Sequence, residues 1–175
     1  VYGLIGGGSR LMLRRALALT GGDEDVDFDG LYAELLAFYE ANIAVHTRHY
    51  PGGEAMLDAL DAAGVRIAIV TNKPQHLTDR LLDELGLTGR FACVIGAGTF
   101  PLKPAPDALH AMVERLGGGR AAFVGDTTFD TGAARAAGLP SVAVSFGFCD
   151  LPPAELGADR VIGHYDELLP ALTSL

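Results

Sequence analysis

From residue 51 onward, short apolar runs alternate with stretches of helical periodicity, and this alternation restricts the fold more than any other feature of the chain. The runs at 65–70, 91–95, 120–124 and 141–144 have the length and apolar continuity of strands buried on both faces. Between them the spacing predicts helices over 54–63, 75–85, 107–116 and 131–137, with a short strand at 160–162 and a helix over 166–172 closing the chain. Such alternation predicts an α/β fold, a doubly wound parallel sheet. Residues 1–50 read differently. They hold only helical patterns, over 9–19 and 31–46, separated by an acidic, glycine-rich loop. The chain therefore divides into a helical part, 1–50, and an α/β part, 51–175, with no internal repeat and no low-complexity tract.

In open α/β sheets, ligands bind at the carboxyl ends of the strands, so the residues that follow each apolar run carry the chemistry. Ala121-Ala122-Phe123-Val124 is followed by Gly125-Asp126-Thr127-Thr128-Phe129-Asp130. This places Asp126 at the sheet edge and Asp130 where the next helix begins, so both carboxylates can face one small volume. Two acids with few basic neighbours point to a hard cation such as Mg²⁺, which takes oxygen ligands; a helix-capping role for Asp130 is the simpler alternative. The run at 65–70 ends in Thr71-Asn72-Lys73-Pro74. There a hydroxyl, an amide and the free N–H groups of a helix start make a cradle for an oxyanion or phosphate, and Pro74 near the helix start loses nothing by lacking an N–H. Pro101-Leu102-Lys103-Pro104-Ala105-Pro106-Asp107 stiffens the backbone around one lysine, with Asp107 placed to cap the next helix. A lysine held this way is a point charge directed at an anion.

Taken in order, Thr71, Lys103 and the Asp126/Asp130 pair resemble the second, third and fourth motifs of the haloacid dehalogenase superfamily. Within it the chain is most similar to the bacterial phosphoglycolate phosphatases, through Val70-Thr71-Asn72-Lys73-Pro74, Lys103-Pro104-Ala105-Pro106-Asp107, Phe123-Val124-Gly125-Asp126 and Ser145-Phe146-Gly147-Phe148. The resemblance implies a helical cap over an α/β core and Mg²⁺-dependent hydrolysis of a small phosphorylated metabolite, 2-phosphoglycolate first among them. In that scheme an aspartate attacks phosphorus and the aspartyl-phosphate is then hydrolysed. Asp126 would ligate Mg²⁺. Asp130 would be a second ligand or would orient Lys103 or metal-bound water. Thr71 and the backbone N–H of Asn72 would hold a phosphate oxygen, and Lys103 would stabilise charge on the phosphoryl group.

One motif of the family is missing. Its first strand ends in Asp-x-Asp-Gly-Thr, which supplies the nucleophile, and no such sequence occurs here. The opening Val1-Tyr2-Gly3-Leu4-Ile5-Gly6-Gly7-Gly8-Ser9-Arg10 resembles the middle of the family's cap, so the nucleophile strand is expected upstream and 1–175 alone is expected to be inactive. Asp27-Phe28-Asp29-Gly30-Leu31 imitates the missing motif but follows a polar turn and precedes a helical pattern; Asp29 is read as the helix cap. In the same resemblance the glycine-rich segment 3–8 is a loop over the site, from which Ser9 or Arg10 could reach substrate.

The balance of charge narrows the partners. With Lys+Arg 13 against Asp+Glu 22 and a net charge of −9, the chain lacks a nucleic-acid footprint. No long apolar span or cleavable leader pattern appears, and a cytoplasmic location is expected. Cys93 and Cys149 have no metal-ligand spacing, and His46 and His49, three apart, find no third ligand. Of the rival chemistries, dehalogenation is disfavoured by the carboxylate of Asp126. A phosphosugar mutase or pyrophosphatase would use the same core residues, and a non-catalytic phosphate-binding module would keep the cradle alone.

Overall fold

The computed structural model describes residues 4–22 and 26–175. Residues 1–3, the last of which opens the glycine-rich segment, and the acidic centre of the predicted loop, 23–25, lie outside them. Two helices come first, α1 (Ser9–Thr20) and α2 (Phe28–Ala41), and α3 (Gly53–Ala62) leads into the α/β part. There follow β1 (Ala68–Pro74), α4 (Gln75–Glu84), β2 (Cys93–Ala97), α5 (Asp107–Arg115), β3 (Phe123–Gly125), α6 (Thr128–Ala137), β4 (Ser141–Val144), β5 (Arg160–Ile162) and α7 (Leu168–Thr173).

All strand pairs are parallel, but they form two ladders instead of one continuous sheet. β1 pairs with β2, and β4 lies between β3 and β5. β1 and β3 are not hydrogen-bonded to each other, although Val70 and Phe123 pack on the same buried cluster of Leu109, Ala133 and Ala134. The sheets therefore lie side by side with their unpaired edges on the same apolar ground. Beneath β4 and β5, Leu60 of α3 and Leu168 of α7 meet Val142, Val144 and Ile162; Ile95 of β2 packs on Ala108 and Met112 of α5. Each strand thus buries aliphatic side chains against its crossover helices, as the apolar runs require.

Several boundaries differ from the sequence reading for local reasons. The strand expected at 65–70 begins at Ala68, because Val65 still closes the end of α3 through its N–H to Leu60 O at 3.0 Å. It then runs through Thr71 to Pro74, with an irregular register after Val70, and Pro74 is the N-cap of α4, which starts at Gln75 as expected. Asp107 does not cap α5; Pro106 holds that position and Asp107 lies in the first turn, where its charge still suits the helix N-terminus. Asp29 is not the cap of α2 either. Asp27 is, accepting from Gly30 N–H at 3.0 Å, while Asp29 pairs with Arg10 at 2.6 Å. Gly30 permits this, since any Cβ there would strike the Asp27 carboxylate. α2 stops at Ala41, where the Asn42 side chain donates to Phe38 O at 2.8 Å. His46 and His49 consequently share no helix face, and His49 pairs with Glu54 at 2.9 Å.

Candidate active site

The start of α6 is set by a reciprocal pairing of Thr127 and Asp130, a capping box that begins the helix at Thr128, three residues before the expected 131. One oxygen of Asp130, Oδ2, accepts from Asp126 N–H at 3.2 Å, Thr127 N–H at 3.0 Å and the Thr127 hydroxyl at 2.6 Å. The other, Oδ1, accepts from Lys103 Nζ at 2.6 Å. Gly125 is required for this closeness, because a Cβ there would occupy the space of the Asp130 carboxylate.

Lys103 and Asp130 side chains are only 10% and 9% exposed. The ammonium also donates to Val70 O at 2.9 Å, at the end of the regular part of β1. A buried ion pair persists only when further hydrogen bonds satisfy it, and both partners meet that condition here. Burial by itself would raise the Asp130 pKa; the Lys103 charge, with hydrogen bonds from Lys103, Thr127 and the Asp126 N–H, outweighs it and holds the carboxyl below its usual range.

Thr71 follows Val70 directly, and its hydroxyl accepts from Lys73 N–H at 3.2 Å, which closes a small turn at the strand end. Asn72 is buried beside it. Its Oδ1 accepts from Lys103 N–H at 2.8 Å and its Nδ2 donates to Lys103 O at 3.0 Å. The five residues singled out from sequence, Thr71, Asn72, Lys103, Asp126 and Asp130, therefore converge where β1 and β3 end. The side chain of Asn72 is thus committed to protein partners.

Asp126 is different from its neighbour. It is half-buried, and Oδ2 accepts Phe148 N–H at 2.7 Å, whereas Oδ1 has no hydrogen-bond partner among the described residues. Burial pushes its pKa up; the Phe148 N–H works against that, and the nearby Asp130 charge adds to it. An anion short of compensation at a strand end fits a hard cation. No group of three or more His, Cys, Asp or Glu side chains among the described residues could hold a metal by itself. Mg²⁺ is commonly bound by one or two carboxylates completed by water and phosphate oxygens, so the donor set suits that ion.

Other residues join the site through partners distant in the chain. The segment 145–150 folds back over the site, with Gly147 packed so closely on Asp126 that a Cβ would collide with it. Asp150 accepts from Thr128 N–H at 2.8 Å and from the Thr128 hydroxyl at 2.5 Å, fixing the segment to the start of α6. Lys73 is bonded to the Tyr39 hydroxyl and sits 4.3 Å from the Tyr39 ring centroid, which joins α2 to the end of β1. Glycine at 147 and lysine in Thr-Asn-Lys-Pro were visible, but their partners lie 21 and 34 residues away in the chain. Ser9 and Arg10 are engaged within the helical pair: Ser9 Oγ lies 2.9 Å from Tyr32 Oη, and Arg10 stacks 5.0 Å and 4.6 Å from the ring centroids of Phe28 and Tyr32.

Comparison with known proteins agrees with this geometry. Residues 3–138 match the family model of haloacid dehalogenase-like hydrolases. A protein of Agrobacterium fabrum named phosphoglycolate phosphatase is 41% identical over 174 residues, covering 97% of this chain and 74% of its own length. A protein of the same name from Mesorhizobium japonicum is 39% identical, covering 94% of this chain and 74% of its own. The crystal structure of a predicted phosphoglycolate phosphatase from Haemophilus somnus superposes with a TM-score of 0.90 at 26% identity, over 97% of this chain and 80% of that one. By the match of residues 3–138 and the identity to these relatives, the chain belongs to the haloacid dehalogenase-like hydrolases.

Proposed function

We propose that the full-length protein hydrolyses small phosphomonoesters in a Mg²⁺-dependent reaction, with 2-phosphoglycolate as preferred substrate. The observation that carries this reading is the buried Lys103–Asp130 pair tied to Val70 O, because it fixes a positive charge beside the Thr71 turn. A dianionic phosphate meets the Thr71 hydroxyl and the Asn72 N–H on one side and the Lys103 ammonium on the other. Asp130 acts through Lys103: with Oδ2 taken by three donors and Oδ1 set on the ammonium, it orients that charge. Asp126 would hold Mg²⁺ through Oδ1, and the ion would neutralise phosphate oxygens. Residues 1–50 form the cap over a core of residues 51–175. The aspartate that attacks phosphorus in the family scheme has no counterpart among residues 1–175, so the aspartyl-phosphate step is assigned to the full-length protein. The choice of substrate is supported by the names of the relatives.

The test is a panel of phosphomonoesters with the full-length protein, with and without a chelator. The expected result is a clear preference for 2-phosphoglycolate that disappears on metal removal. Preference for a hexose phosphate or pyrophosphate would overturn the substrate, full activity in chelator would overturn the metal, and binding of phosphate without turnover would leave a binding module.

A further inference from the structure

The side chain of Asn72 is shared between two segments that are distant in sequence. Apart from its two bonds to the backbone of Lys103, its Nδ2 donates to Gly6 O at 3.0 Å, across 66 residues. A primary amide has two N–H donors, and both are used here. The pattern also fixes which way the amide points, since a flipped group would set its oxygen against two carbonyls and its N–H₂ against the Lys103 N–H. On the Lys103 side the result is a closed ring of two hydrogen bonds, the amide against the N–H and C=O of one residue. On the Gly6 side it is a single tie to the loop before α1.

That loop is seated by its lack of side chains. Gly6 has φ +113°, and a Cβ there would lie 2.8 Å from the Phe129 ring; at Gly8, φ +88°, it would lie 3.2 Å from Leu102 Cδ1. Phe129 and Leu102 adjoin Asp130 and Lys103 in sequence. The loop thus rests on both walls of the site, and the Asn72 amide is its polar link to them. If the loop lifts, a buried N–H of Asn72 loses its acceptor, and a buried donor without a partner is strongly disfavoured. The amide then turns or admits water, and the ring that holds the Lys103 backbone loosens.

We propose that Asn72 is a positioning residue that makes the placement of Lys103 depend on docking of the Gly6–Gly8 loop, so that the phosphate-binding charge is fully set only with the loop in place. This rests on the phosphohydrolase reading for its effect on rate, but not for the coupling itself.

The experiment compares wild type, Asn72→Ala, Gly6→Ala and the double variant of the full-length protein. It reads kcat and KM for the best phosphomonoester, and amide hydrogen exchange at Lys103. Gly6→Ala touches neither Lys103 nor Asn72 covalently and unseats the loop by collision with Phe129. Both single variants should lower kcat about tenfold, change KM less, and accelerate exchange of the Lys103 N–H. The double variant should be no slower than the worse single one, because both changes break one device. Wild-type exchange at Lys103 in a folded Gly6→Ala protein would overturn the coupling, as would rate losses that multiply in the double variant. Should Asn72→Ala fail to fold, the Gly6→Ala exchange result decides alone. A wild-type protein without phosphatase activity would defeat the proposed function, while the exchange measurement still decides the coupling.

Discussion

Asp126 and Asp130 are four residues apart and contribute to stability with opposite signs. Asp130 has a lowered pKa in the folded state, so its stabilisation is present above the ordinary aspartate range and is lost as pH falls through that lowered value. Asp126 has a raised folded pKa, so its contribution favours the fold at low pH and is lost as pH rises through the raised value; near neutrality the ionised group is a burden. Asp126→Asn should therefore raise the melting temperature of the metal-free protein at neutral pH while lowering activity by about a hundredfold. The gap in melting temperature should open as pH rises from about 4. Asp130→Ala, which strands the Lys103 ammonium, should lower stability by about 3–5 kcal/mol. Thermal melts across pH test both. Asp126 and Thr71 were legible because a strand end followed by a polar residue is a local pattern, and Lys103 because prolines flank it. The engagement of Asp130 by four donors was not, because one of them comes from a lysine 27 residues away.

Elements were read well where apolar periodicity decides and less well where a cap does. The strands at 141–144 and 160–162 appear as expected, β1 is displaced toward Pro74, and α6 gains a turn from the Thr127–Asp130 box. Asp27 shows what a cap can disguise. Its segment imitates a nucleophile motif, yet its carboxylate is bonded to Gly30 N–H at the start of α2. Asp27→Ala should therefore lower stability by about 0.5–2 kcal/mol and leave kcat near wild type. A phosphoryl adduct mapped to Asp27 by mass spectrometry would contradict the placement.

For the whole molecule, the class of fold was legible because strand–helix alternation leaves few architectures, and the division into two ladders falls between β1 and β3, where the family resemblance expects the strand of the missing first motif. β1 and β3 each use one edge for pairing and have no ladder partner on the other among the described residues. Unpaired strand edges invite another strand. Residues 1–175 expressed alone should hydrolyse no p-nitrophenyl phosphate and should melt less cooperatively than the full-length protein; turnover by 1–175, or an equally sharp melt, would refute this. The same seam has a mechanical meaning. No backbone ladder crosses it, and the Lys103 ammonium, bonded to Val70 O on one side and Asp130 on the other, acts as a rivet. The seam thus runs through the candidate site, so any change in how the two ladders meet is also a change in where the Lys103 ammonium sits.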